Sequence, residues 1–128
     1  MLKPKHDRQR AGTITVSITV SNYNLDCILD TCFEGGSVDW IDRINVVDDD
    51  YKGARYGSEV ISHDGEIKVF VDEGTPHHLT KTKLLQGCQL YVNGHKGVGS
   101  RRWRPDDFDA EDTDIILQYA LFGEVVYG

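Results

Sequence analysis

Residues 109–123 read DAEDTDIILQYALFG and form a strongly patterned helical segment. Carboxylates occupy its first turn, where the partial positive charge of a helix N-terminus favours them, and Gly123 ends the pattern. The apolar side chains between Ile115 and Phe122 fall on more than one face. Because such a helix has to be covered by other elements, the segment predicts a largely buried helix.

Two further helices are predicted from apolar residues at helical spacing. The first begins at Ser21 or Asn22 and ends at Gly35-Gly36. Its apolar stripe is Leu25, Ile28, Leu29, Cys32 and Phe33. The second begins after Thr80, with Gly87 as a weak point of low helix propensity. Its apolar positions are Leu84, Leu85, Cys88, Tyr91 and Val92.

Strands are predicted from alternating or β-branched runs. Thr13–Val20 alternates strictly and is expected to bury Ile14, Val16, Ile18 and Val20. Three other candidate strands are Val38–Val47, Glu66–Val71 and the short His77–Leu79. Tyr56–Ser62 is compatible with either a short helix or an extended segment.

This order of elements predicts an α+β fold, with a mainly antiparallel sheet of three to four strands covered on one face by about three helices. Residues 13–128 are expected to form a single domain, because 128 residues suffice for one core. Residues 1–12, with a net charge of +3, are expected to form a mobile basic arm.

Composition narrows the function classes. The net charge of −7 and a pI near 5.1 argue against general nucleic-acid coating. Charges interrupt every apolar run, so no membrane span or signal peptide is expected, and the predicted location is the cytoplasm. The three cysteines have no framework spacing and are interpreted as free thiols.

One loop stands out against this acidic background. Residues 94–104 read GHKGVGSRRWR, and residues 96–104 carry a net charge of +4. This composition is typical of an anion site, since glycines let backbone N–H groups approach a phosphate, arginines clamp it and an indole stacks on a base. The candidate ligand-binding residues are Lys96, Gly97, Gly99, Arg101, Arg102, Trp103 and Tyr56. The alternative is a solvated loop whose arginines offset nearby aspartates, because no P-loop or dinucleotide signature is present.

Other chemistry has little support in the sequence. The histidines and cysteines lack metal-ligand spacing, and no nucleophile stands in a recognisable catalytic context. We therefore predict no metal, no cofactor and no enzymatic activity, with hydrolysis of a signalling nucleotide left open. Acidic clusters suggest a different function, a protein surface that imitates DNA. Its candidate residues are Asp48, Asp49, Asp50, Asp106 and Asp107.

The C-terminal sequence of the chain also resembles that of a known family. The ending AEDTDIILQYALFGEVVYG, residues 110–128, is similar to that of a family of small accessory proteins of bacteriophages and prophages. The similarity extends to CFEGGSVDW, residues 32–40, and to YGSEVIS, residues 56–62, and so covers most of residues 13–128. It implies no catalytic or ligand residue.

The resemblance implies a counter-defence role in the cytoplasm of a host cell. Such proteins sequester a small anionic nucleotide signal of host immunity, or directly inhibit a host defence or CRISPR nuclease. Combined with the cationic loop, the sequence favours sequestration. A homo-oligomer is expected, because one chain of this size seldom encloses a dinucleotide-sized ligand by itself.

Overall fold

A computed structural model describes residues 7–15, 17–35, 38–71, 74–94 and 103–128. It contains three helices and three strands in the order α1 (Asn22–Glu34), β1 (Arg43–Val46), β2 (Ile67–Phe70), β3 (His77–Leu79), α2 (Lys81–Gly94) and α3 (Ala110–Phe122). Single 3₁₀ turns cover Val47–Asp49, Gly57–Glu59 and Pro105–Asp107. The predicted α+β class, with three strands and three helices, is confirmed.

The sheet has the order β1-β2-β3, and both pairs of neighbours are antiparallel. Ile67 and Val69 of the central strand are fully buried. They stand opposite Val46 and Ile44 of β1, so these four side chains share the core face of the sheet. Lys68 and Phe70 point to the other face. Arg43 covers Phe70 there, with its guanidinium 3.9 Å from the ring centroid.

The three helices start at side-chain caps. Ser21 and Asn24 form a reciprocal capping box at α1, and Asp109 and Asp112 form another at α3. At α2, the Lys83 N–H donates to the Thr80 hydroxyl at 3.3 Å. These caps place the helix starts within one residue of the predicted positions.

Helices α2 and α3 cross at Gly87, which is buried. A Cβ at this position would lie 2.6 Å from the Ile116 carbonyl oxygen and 2.9 Å from the Ala120 nitrogen. The predicted weak point of the helix is therefore the place where α3 approaches its backbone.

Two strand predictions need correction. The described part of Thr13–Val20 forms no strand, and Ile14 is 90% exposed rather than buried. Ile18 and Val20 do pack against the core, but no strand pairs with them among the described residues.

The predicted strand Val38–Val47 is shorter and comprises only Arg43–Val46, because a turn occupies Asp39-Trp40. Tyr56–Ser62 resolves into a 3₁₀ turn at Gly57–Glu59 followed by further turns.

The C-terminal tail, residues 124–128, is held against α3 by Gln118, whose side chain is only 1% exposed. Its Oε1 accepts hydrogen bonds from the Val126 and Tyr127 N–H groups, both at 2.8 Å. Its Nε2 donates to Asp114 Oδ1 at 2.9 Å and to the Tyr127 carbonyl at 3.1 Å. The amide thus makes all four of its hydrogen bonds.

Tyr127 in turn lies flat on Trp40, with ring centroids 5.3 Å apart and planes 4° from parallel. The Trp40 indole N–H donates to Asp114 Oδ1 at 2.7 Å, and Phe122 packs against both rings. Residues 110–128 therefore include several side chains that hold the C-terminal tail against the core.

Two of the three cysteines are buried. Burial raises the pKa of Cys32 from an ordinary 9.0 to about 12, against the opposing effect of a hydrogen bond with the Thr113 side chain. The Cys32 thiol also donates to the Thr113 carbonyl at 3.3 Å. Burial likewise raises the pKa of Cys88 to about 12. At pH values where these two thiols ionise in the unfolded chain, they therefore remain protonated in the folded protein.

These thiols predict a loss of stability in mild alkali. Since the pKa of each is raised by folding, the stabilisation is complete below pH 9 and declines as the pH rises toward 12. Between pH 8 and pH 10 we expect the two groups together to lower the free energy of unfolding by about 2–3 kcal/mol. Urea denaturation at both pH values measures the loss. The Cys32→Ala/Cys88→Ala variant should show a smaller loss, and a loss equal to that of the parent protein would contradict the assignment.

Candidate ligand-binding site

A cleft of about 720 Å³ lies between the N-terminal segment, one side of α2 and Trp103. Its volume is in the range of small-molecule sites. The side chains from α2 recur at helical spacing, which places them on one side of the helix. The lining residues are Ile14, Thr15, Ser17, Ile18, Val20, Leu85, Cys88, Gln89, Val92, Asn93 and Trp103.

Trp103 is held at this cleft by a chain of aromatic contacts. Its ring meets Phe108 edge to face at 5.3 Å between centroids, and Phe108 meets Tyr91 in the same way at 5.6 Å. The Tyr91 hydroxyl donates to Asp112 Oδ1 at 2.6 Å. Burial and the neighbouring Asp112 raise the pKa of Tyr91, so its hydroxyl remains a donor at neutral pH. The indole is thus fixed, through α2, to the first turn of α3.

The polar part of the cleft lining that the structure describes is neutral. Gln89 Nε2 donates to Asn93 Oδ1 at 2.7 Å. This bond leaves the Gln89 carbonyl oxygen as an acceptor and the Asn93 amide nitrogen as a donor along α2. Thr15 and Ser17 add hydroxyl groups from the opposite wall. None of the described residues that line the cleft is charged. Such a surface suits an uncharged planar group better than a phosphate.

The predicted ligand residues have different placements. Lys96, Gly97, Gly99, Arg101 and Arg102 lie outside the described residues. Trp103 lines the cleft, as does Asn93, so the described residues near both ends of this loop belong to one site.

Tyr56 belongs elsewhere in the described structure. It is 56% exposed and is not among the described lining residues of the cleft. It precedes the Gly57–Glu59 turn, and Gly57 lines a separate groove with Tyr51. The structure therefore does not bring Tyr56 and Trp103 into one pocket, and a stacking role for Tyr56 stays a prediction.

Several lining residues escaped the sequence reasoning. The predicted strand Thr13–Val20 places Thr15 and Ser17 on its polar face, where no ligand contact is expected. Gln89 and Asn93 form an i, i+4 amide pair on a helix, and this spacing was the available signal.

The acidic residues divide into two groups. Asp50 is engaged by Lys52, whose N–H donates to it at 3.1 Å and whose Nζ lies 3.1 Å from its second oxygen; these contacts lower the pKa of Asp50. By contrast, four predicted interaction residues make no side-chain ion pair with any described residue: Asp48, Asp49, Asp106 and Asp107. Asp48 and Asp49 both line the groove at β1, with backbone φ angles of 58° and 52°.

Metal and membrane chemistry find no support in the described structure. Within residues 7–15, 17–35, 38–71, 74–94 and 103–128, no group of three or more His, Cys, Asp or Glu side chains could hold a metal ion. No helix in this part of the chain has both the length and the apolar character to cross a membrane.

Comparison with known proteins gives no further indication. No protein-family model matches this chain, and neither a curated protein nor a solved structure is significantly similar to it.

Proposed function

We propose that this protein is a phage-encoded, non-enzymatic binding protein that sequesters a small nucleotide-type signal and so blunts a host immune system. The cleft between the N-terminal segment, α2 and Trp103 is the observation that supports the proposal most. It combines a suitable volume, a fixed indole and neutral hydrogen-bonding groups.

The binding mode divides the ligand into two parts. The base enters the neutral cleft, stacks on Trp103 and meets the amides of Gln89 and Asn93. The phosphates are held outside it by Lys96, Arg101 and Arg102, with Gly97 and Gly99 giving access to backbone N–H groups. A second copy of the chain completes the enclosure of a ligand larger than a mononucleotide.

The first test is native mass spectrometry of protein expressed in a host that carries the defence system. The expected result is a bound nucleotide that is released intact on denaturation, together with the subunit count. An empty protein contradicts the proposal, and a nucleotide recovered as a new product indicates a hydrolase instead.

The arginines of the basic loop allow a more specific prediction. Arg101→Ala with Arg102→Ala should abolish binding of the recovered nucleotide in isothermal titration calorimetry, because two bidentate phosphate contacts are lost. The melting temperature should change by only a few degrees, because replacing arginine by alanine removes no apolar core side chain.

The matched control is Arg55→Ala with Lys68→Ala. It removes the same charge at residues that do not line the cleft, and it should retain binding. Unchanged affinity in the double arginine variant would contradict the assignment of the phosphate contacts.

A second candidate function is direct inhibition of a host nuclease through an acidic surface. It is favoured by the carboxylates of Asp48, Asp49, Asp106 and Asp107, which no described side chain neutralises. It predicts a complex with a host protein that weakens steeply with salt. A complex that survives neutralisation of Asp48–Asp50 would count against it.

A further inference from the structure

Strand β1 forms an edge of the sheet, and no other strand pairs with its outer side among the described residues. Its hydrogen-bonding pattern shows which groups face outward. The Val47 N–H donates to the Glu66 carbonyl at 3.0 Å, so Val47 and Glu66 are a hydrogen-bonded pair. Hydrogen-bonded and non-hydrogen-bonded pairs alternate along an antiparallel ladder. The N–H and C=O groups of Ile44 and Val46 therefore point away from β2.

The opposite edge, β3, is less accessible. Lys83 Nζ donates to the His78 carbonyl at 2.9 Å, which occupies one acceptor of that strand. Helix α2 begins at Lys81, two residues after the strand ends, which limits the length of any added strand. Of the two edges of the described sheet, β1 is the one open to pairing.

A groove of about 460 Å³ runs along β1. Ile44, Asn45 and Val46 form one side of it, and the other described lining residues are Asp48, Asp49, Tyr51 and Gly57. The two carboxylates have no ion pair within the described structure, and Tyr51 is partly exposed beside them. The groove thus joins unpaired backbone groups to an uncompensated negative charge, and this charge selects a basic occupant.

We propose that β1 docks an extended, lysine- or arginine-rich segment of a partner protein, which adds to the sheet as a fourth strand. Backbone hydrogen bonds to Ile44 and Val46 hold the segment, and alternate basic side chains reach Asp48 and Asp49. The inference does not rest on the proposed nucleotide function, because the groove and the cleft share none of their described lining residues.

The test is a nuclear magnetic resonance titration of the isotopically labelled full chain with an octapeptide of alternating lysine and threonine. The amide signals of Ile44 and Val46 are expected to shift and to exchange more slowly with solvent. Two control peptides are used. One alternates glutamate and threonine, and the other has the lysine–threonine sequence with a methyl group on every backbone nitrogen. Neither control peptide should bind. The glutamate peptide lacks the positive charge that Asp48 and Asp49 attract, and the methylated peptide lacks the backbone N–H donors that pair with β1.

Two protein variants complete the experiment. Asp48→Asn with Asp49→Asn should weaken binding at least about fivefold, and asparagine tolerates the positive φ at both positions. Asp30→Asn with Asp39→Asn removes the same charge at exposed residues outside the described groove lining and should leave affinity within about twofold.

Three results would overturn the proposal. One is equal binding of either control peptide, and another is an unchanged affinity in the Asp48/Asp49 variant. The third is a shift of the β1 amides with protein concentration alone, which would mean that a second copy of the chain occupies the edge.

Discussion

Replacing Gln118 by leucine is expected to lower the free energy of unfolding by about 3 kcal/mol. The leucine has a similar size but leaves the N–H groups of Val126 and Tyr127 without their acceptor. It also removes the donor to Asp114, which then keeps only its bond from Trp40. Gln118→Leu removes four hydrogen bonds, which involve the Val126 and Tyr127 N–H groups, the Tyr127 carbonyl and Asp114. The tail can move away from α3 and bind water instead. The loss of stability is therefore smaller than the cost of leaving all four bonds unmade in a buried site.

Urea denaturation followed by circular dichroism measures this loss, and hydrogen exchange at Val126 and Tyr127 tests its cause. Both amides should exchange much faster in the variant. Gln89→Leu is the matched control, because Gln89 is exposed and its substitution should change stability by at most about 0.5 kcal/mol. A Gln118→Leu protein as stable as the parent would show that the tail contributes nothing to the fold.

Gly87→Ala is expected to destabilise the protein by about 2 kcal/mol, although alanine is the better helix former by about 1 kcal/mol. The added methyl group would meet the Ile116 oxygen and the Ala120 nitrogen of α3 at less than 3 Å. These are backbone atoms, so a side-chain rotation cannot relieve the contact. The two helices have to move apart, and the core around their crossing loses packing.

Thermal unfolding monitored by circular dichroism checks this prediction, with Gly94→Ala as the control in the same helix. A Cβ at Gly94 would contact no described atom within 4 Å, so that variant should be as stable as the parent or slightly more stable. If both variants were stabilised alike, the close approach of α3 at Gly87 would be refuted.

The helices were predictable because their signals are local. Leu25, Ile28, Leu29 and Cys32 fall on one stripe of α1, and all four are buried. The hydroxyl and carboxylate caps then set the helix starts. These features depend only on neighbours within one or two turns, which a sequence displays directly.

The segment Thr13–Val20 has a strand-like sequence but forms no strand in its described part. Its alternation is typical of a strand, but a strand also needs a partner with unpaired backbone groups. Whether such a partner strand is available depends on how elements distant in the sequence pack in the fold. Here Ile18 and Val20 pack against the core, and the segment lines the cleft.

The candidate site was predictable only in part, for a related reason. Trp103 was recognisable from its basic, glycine-rich neighbourhood. Thr15, Ser17 and Gln89 become its neighbours only once α2 and the N-terminal segment lie together. Composition identifies a loop that suits an anion, but it does not show which other elements form the walls of the site.

The two tryptophans of the chain lie in different surroundings, and this gives the protein two built-in fluorescent reporters. Trp40 is buried under Tyr127, so its emission responds to release of the C-terminal tail. Trp103 lines the cleft and is only partly buried, so its emission responds to an occupant of that site. Replacing either one by phenylalanine isolates the other signal, and tail release and cleft occupancy can then be followed separately in the unlabelled protein.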